Sequence, residues 1–135
     1  MNWVRIADLA ALPVDRGVAA LVGHHPVAVF RLAGDEIYAI DHVDPTTDVP
    51  VLARGLVGSV GDRPVVASPL HKARFCLRTG ECLDHPGRAV AIWPVDVVDG
   101  VVCVGAGSWV RLVPVAAPGP TARAAVDTPS ATAVA

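Results

Sequence analysis

The stretch Ser68-Pro69-Leu70-His71-Lys72-Ala73-Arg74-Phe75-Cys76-Leu77-Arg78-Thr79-Gly80-Glu81-Cys82-Leu83 constrains this chain more than any other. A proline-containing loop runs into Phe75 and Leu77 alternating with Cys76 and Arg78, which is the period of a strand. Thr79-Gly80 then offers a turn whose glycine is free to take positive φ, so a hairpin is expected there. In that register Cys82 faces Leu77 and Cys76 faces Leu83, which puts the two cysteines on opposite sheet faces and disfavours a disulfide between them.

The rest of the chain reads as scaffold of the same kind. At 135 residues it suits one domain with a real core. It is rich in valine, whose branched side chain fits a pleated surface and loses rotamer freedom in a helix. An all-β protein is expected. The net charge of −2 and the scattered basic residues give no electrostatic case for nucleic acid. The first residues, Met1-Asn2-Trp3-Val4-Arg5-Ile6-Ala7-Asp8, lack the pattern of a signal peptide, and no apolar run is long enough to span a bilayer, so the expectation is a cytoplasmic protein. Three cysteines, Cys76, Cys82 and Cys103, form no C-x-x-C pair and read as buried small hydrophobes.

In chain order, Trp3 to Ala7 reads as a strand and Asp8 to Pro13 as one capped helical turn. Asp15-Arg16-Gly17 turns the chain. Strands Val18–Leu21, Val27–Leu32 and Ile37–Ile40 then form a meander. His24-His25 sits in a turn, where adjacent side chains diverge. Asp41 to Pro50 is polar and proline-punctuated, so it is expected to be a loop. Leu56–Val60 and Pro64–Ala67 pair around Gly61-Asp62. Ala89–Val98 and Val101–Val104 pair around Asp99-Gly100, a strong hairpin signal, and Trp93 before Pro94 marks a bulge or an edge. Trp109–Val113 has an apolar pattern that could close the sheet beside the first strand. From Pro114 to Ala135 eight alanines and four prolines stand among twenty-two residues, a composition that buries little to offset its ordering entropy and predicts a flexible tail.

Ser68-Pro69-Leu70-His71 ahead of an aromatic strand is similar to the second cluster-binding loop of Rieske iron–sulfur domains, which reads Cys-x-x-His. Tyr38 to Thr46 resembles the entry into their first loop, Cys-x-His. A Rieske [2Fe-2S] centre takes two thiolates on one iron and two imidazoles on the other. The corresponding positions here are Asp44, Thr46, Ser68 and His71, so one ligand of four is kept. Aspartate and hydroxyl groups do not replace thiolate and imidazole on such a core, and the expectation is a Rieske-like domain that holds no cluster or other metal.

Ala67 to Lys72 with Leu77 to Leu83 resembles the small subunit of the cytoplasmic NAD(P)H-dependent nitrite reductase. Arg54-Gly55-Leu56-Val57-Gly58 and Trp93-Pro94-Val95 are similar to that family as well, and the resemblance covers roughly residues 3–113. It implies a Rieske-like β-sandwich over 1–113 with an inserted hairpin-and-loop subdomain. It also implies an accessory role beside a large subunit that carries sirohaem, an iron–sulfur cluster, FAD and NAD(P)H and reduces nitrite to ammonium. The small subunit would have no catalytic residue and no cofactor of its own. Its loop tip, Pro45, Pro69, Leu70, His71, Lys72 and Arg74, is the candidate contact with that partner.

Three other readings compete. A Rieske ferredoxin that carries electrons to an oxygenase shares the fold, and the missing ligands stand against it. His42, Asp44 and His71 have the inventory of a mononuclear metal site, though solvated loop histidines are the ordinary case. Asp41, His42 and Ser68 list a hydrolase triad, but Ser68 precedes proline on no nucleophile elbow.

Overall fold

The computed structural model describes residues 2–106. Twelve strands are found there, together with three short 3-10 turns. The first sheet-forming run is β1 (Asn2–Asp8), followed by a 3-10 turn at Leu9–Ala11, the helical turn expected between Asp8 and Pro13, although the Asp8 side chain makes no capping bond. The meander comprises β2 (Arg16–Val22), β3 (His25–Leu32) and β4 (Glu36–Asp41). After it come β5 (Val43–Asp44), β6 (Val49–Pro50), β7 (Leu56–Val60), β8 (Arg63–Ala67) and β9 (Arg74–Cys76). The chain finishes on β10 (Ile92–Trp93), β11 (Val95–Val98) and β12 (Val101–Ala106).

Four antiparallel sheets result: β1-β12-β11, β10-β4-β3-β2, the two-stranded β5-β6, and β7-β8-β9. The four-stranded sheet is the middle layer, and it is covered on both faces. Val27 and Val29 of β3 join Val4, Trp93, Val102 and Val104 in one core, under the β1-β12-β11 sheet. Their neighbours Ala28 and Phe30 join Ile40, Leu52, Val66, Phe75 and Ile92 in a second core, under β7-β8-β9. Successive side chains of a strand point to opposite faces, so a strand covered on both sides must be apolar without alternation. Val27-Ala28-Val29-Phe30 has that pattern, and all four are essentially inaccessible.

The hairpin at Asp99-Gly100 forms as expected, with Val98 opposite Val101 and both turn residues at positive φ, 52° and 77°. That conformation matches the right-handed twist of the flanking strands. The resulting β12 pairs with β1. The expected strand at Trp109–Val113 and the tail from Pro114 lie outside the described residues.

Three expectations are corrected. The segment 41–50 is not all loop, because Val43 and Asp44 pair with Pro50 and Val49. The run Ala89–Val98 is not one strand. Pro94 has no N–H to continue a ladder, and the chain changes sheets there: Trp93 pairs with Ala39 of β4 while Val95 pairs with Val104 of β12.

The hairpin after Phe75 also has a longer turn than Thr79-Gly80 alone. Gly80 donates to the Cys76 carbonyl and Cys76 to the Glu81 carbonyl, both at 2.8 Å, so Leu77 to Gly80 make the reversal and Cys82 stands opposite Phe75. Gly80, at φ 81°, is locked against Val90 by the Val90 N–H donating to its carbonyl at 2.8 Å; a Cβ there would come within 2.1 Å of the Val90 oxygen. This cross-loop contact replaces the tighter turn. The shift is two residues, so the faces keep their parity: Cys76 and Cys82 still point to opposite sides, and all three cysteines are free and buried.

Candidate functional site

Two loops, 41–50 and 68–73, meet at one end of the β7-β8-β9 layer. Asp44 closes the first. Its Oδ1 accepts the Thr46 N–H at 2.8 Å and the Thr46 hydroxyl at 2.7 Å, and its carbonyl accepts the N–H groups of Thr47 and Asp48. An aspartate that bonds its own backbone two residues on is a standard turn-former. Ser68 does the same for the second loop: its Oγ accepts the Leu70 N–H at 3.1 Å, and its own N–H donates to the Ala73 carbonyl at 2.8 Å. Within that loop His71 and Lys72 take left-handed φ values of 64° and 59°.

Asp44 is 0% exposed and Ser68 1% exposed. Burial pushes the Asp44 carboxyl up. The Ser68 hydroxyl beside it, the two bonds from Thr46 and the field of His71 outweigh that and hold it below its ordinary value. Asp44 Oδ2 is buried without a hydrogen bond of ordinary geometry.

Thr46 and His71, by contrast, lie on the walls of an open cleft of about 320 Å³, completed by His85 and Arg88. Asp44 and Ser68 are therefore neighbours on the inside, and Thr46 and His71 neighbours on the outside. A two-iron cluster held by two thiolates and two imidazoles needs soft donors at the inner pair. This chain offers a carboxylate whose Oδ1 is already committed to Thr46 and a hydroxyl committed to Leu70, so its donor set does not fit that cluster. The cysteines give no substitute, being buried at other positions.

The other constellations are not assembled. His42 is buried, and its Nδ1 accepts the Ala53 N–H at 3.0 Å. Burial and then the charge of Arg54 lower its pKa. It braces the 3-10 turn at Leu52–Arg54 rather than facing His71. Asp41 receives the indole N–H of Trp93 at 2.9 Å and so ties β4 to β10; it orients no histidine. Among the described residues no group of three or more His, Cys, Asp or Glu side chains is placed to hold a metal. His25, expected in a turn, instead opens β3 opposite Val22, and its ring lies against Trp93 with centroids 5.6 Å apart.

Of the loop-tip residues, Pro69, Leu70, His71 and Lys72 are exposed and Pro45 half-buried. Arg74 is already committed: its guanidinium grips Asp84 through Nη2 at 2.7 Å and Nε at 3.0 Å, and the same carboxylate accepts the Arg74 N–H. That grip holds the Asp84 carboxyl down to about 2.

Sequence reasoning passed over His85 and Arg88. They stand well beyond His71 in the chain, and only the pairing of 82–83 against 74–75 carries the Asp84–Arg88 turn back to the loops. It also treated all three cysteines alike. Burial pushes the Cys82 and Cys103 thiols up. Cys76 is different, because hydrogen bonds from the hydroxyl and N–H of Thr79, from the Arg78 N–H and from Arg63 outweigh burial and bring it below its usual value.

A three-layer antiparallel β-fold with two loops meeting at one end defines a Rieske-like domain, and the Rieske-like [2Fe-2S] domain family matches residues 2–105. The chain is 38% identical over 102 residues to the nitrite reductase (NADH) small subunit of Escherichia coli K12, covering 75% of this chain and 94% of that one. It belongs to the family of nitrite reductase NAD(P)H small subunits. It is also 45% identical over 103 residues to the nitrite reductase [NAD(P)H] large subunit of Klebsiella oxytoca, where 76% of this chain matches 11% of the relative, so it spans only that small part of the larger protein. The solution structure of the nitrite reductase [NAD(P)H] small subunit from Erwinia carotovora superposes with a TM-score of 0.68 at 36% identity, over 78% of this chain and 82% of that one.

Proposed function

We propose that this protein is the accessory small subunit of a cytoplasmic, assimilatory NAD(P)H-dependent nitrite reductase, working beside a large subunit that reduces nitrite to ammonium. Sirohaem, the iron–sulfur cluster, FAD and the NAD(P)H site belong, on this reading, to the large subunit. The similarity to part of a large subunit from Klebsiella oxytoca supports the partnership, because a domain joined covalently to another in one organism is commonly its separate partner in the next.

The reading further holds that this chain carries no cluster of its own. The observation that carries it is the donor set at the meeting loops, Asp44, Thr46, Ser68 and His71, in which the inner pair is oxygen, with Asp44 Oδ1 and Ser68 Oγ already bonded within the loops. No electron then passes through this subunit; it supports or completes its partner. The contact surface in this proposal is the loop tip, Pro45, Pro69, Leu70, His71 and Lys72, with Arg74 shaping it through Asp84.

The test has two arms. Copurification of the tagged chain from its native cell should bring down a large subunit with nitrite-dependent NAD(P)H oxidation, and the absence of any such partner would defeat the subunit assignment. Iron and acid-labile sulfide assays on the purified chain should find neither in stoichiometric amount. Finding both, with visible absorption, would return the protein to the electron carriers.

Among the described residues no helix is long and apolar enough to cross a membrane, which leaves β-barrels untouched.

A further inference from the structure

We propose that the cleft between the two loops binds a small oxyanion. Its walls are Thr46, His71, His85 and Arg88, with no carboxylate among them. Arg88 is exposed, and its guanidinium makes a long bond, Nη1 to the Pro45 carbonyl at 3.4 Å. The ion pairs of the described residues join Arg31 to Asp35, Arg63 to Glu81 and Arg74 to Asp84, none of them involving Arg88. A guanidinium left without an anion, beside two imidazoles, is a ready partner for a planar or tetrahedral oxyanion, since its fork matches two oxygens at once.

The nearby acids do not fill that role. Asp44 is wholly buried, with Oδ1 satisfied by Thr46, and Asp84 is held by Arg74. Thr46 spends its hydroxyl proton on Asp44, so it shapes the wall while Arg88, His71 and His85 supply the donors. A cation is the wrong occupant: two imidazoles with no carboxylate on the cleft wall fall short of a metal's needs. The volume, about 320 Å³, is at the small end of ligand pockets and suits an ion with its water rather than a nucleotide.

This site goes beyond the subunit assignment and can be tested on the chain alone. The full 135-residue protein, labelled with nitrogen-15, is titrated at fixed pH with sodium phosphate and separately with sodium nitrite, with ionic strength held constant by sodium chloride. The amide signals of Thr46, His71, His85 and Arg88 should move saturably with at least one of the two oxyanions. In Arg88→Gln, with the rest of the spectrum unchanged, binding should weaken about tenfold, as expected on losing one charge-assisted contact. Arg88→Lys, which keeps the charge without the fork, should fall between the two. Shifts no larger than chloride alone produces, or an Arg88→Gln curve that overlays the wild type, would overturn the proposal.

Discussion

Asp44 Oδ1 accepts two hydrogens from Thr46, the N–H at 2.8 Å and the hydroxyl at 2.7 Å. Two residues that the family resemblance sets at Rieske ligand positions are thus bonded to each other, and the turn they make stands on those bonds. Asp44→Ala should cost about 1–3 kcal/mol, because the Thr46 N–H is left in a partly buried site with no acceptor. Thr46→Val keeps the N–H bond and should cost less. Thermal unfolding checks both, each kcal/mol moving the Tm by roughly 4 °C for a domain of this size. Equal and negligible shifts would show that the turn is held by its backbone alone.

The His42 environment predicts a pH dependence. Its folded pKa lies below the ordinary value, from burial first and Arg54 second. The fold therefore favours neutral imidazole, and the unfolded chain binds a proton that the folded chain resists. That leaves stability unaffected above about pH 6.5 and lowers it progressively as pH falls below that value. His42→Asn, which can keep an acceptor for the Ala53 N–H, should flatten the fall of the urea midpoint between about pH 6.5 and pH 5. The carboxylates act in a lower window. Asp84, held at about 2, and Asp44, held low, add stability that is full above about pH 4 and is lost as pH drops through their folded values. An unchanged slope in His42→Asn would mean that the neutral form is not what the fold requires.

Lys72 and Arg74 look alike in sequence and do different jobs. Lys72 is exposed on the tip, whereas Arg74 is clamped to Asp84. Reversing Lys72 to Glu should weaken association with a nitrite reductase large subunit while leaving the Tm alone, since a rim charge acts on encounter more than on folding. Arg74→Glu sets two carboxylates against each other at the base of the loop and should lower the Tm as well. Copurification and unfolding of the two variants, measured side by side, separate the roles. Full association of Lys72→Glu would move the interface off the tip.

The core was legible in the sequence where one physical rule dominated. Asp99-Gly100 fixed a hairpin because both residues tolerate positive φ. Val27 to Leu32 read as a strand of the meander, although its apolar run did not say that it would be covered on two faces. Reading failed where distant contacts decided the local outcome. Gly80 turns as it does because Val90 packs on it, and Val43–Asp44 becomes a strand only by pairing with Val49–Pro50. Family resemblance singled out Asp44, Thr46, Ser68 and His71, and the structure places them on two loops that meet. Arg88 was not singled out, because nothing local distinguishes it from a solvated arginine until the Asp84–Arg88 turn is seen folded against Thr46.

The family match ends at residue 105, and the proposal that residues 1–113 form the domain with a flexible tail from Pro114 makes truncation informative. Removing 114–135 should leave the Tm within about 2 °C, well under the effect of a single kcal/mol. A larger drop would place part of the tail in the folded body. Retained folding with a lost partner would assign assembly to it.

The strictest prediction restores the donor set: Asp44→Cys, Thr46→His and Ser68→Cys together, keeping His71. The geometry favours the attempt, because positions 44 and 68 are buried side by side and positions 46 and 71 share the cleft wall, so two thiolates would lie inside and two imidazoles outside. The variant loses both Asp44–Thr46 bonds, so the apoprotein should melt below the wild type. Reconstitution with iron and sulfide should then give visible absorption beyond that of wild type treated in the same way and should recover part of the lost Tm, since a ligand bound only by the folded state stabilises it. A version that keeps Ser68, with one thiolate fewer, should take up no cluster. If the full set binds nothing while remaining folded, the four side chains alone do not suffice to build the cluster without the outer hydrogen bonds that support such ligands. If the wild-type protein itself takes up a cluster under the same treatment, Asp44 and Ser68 are not the barrier that their chemistry makes them here.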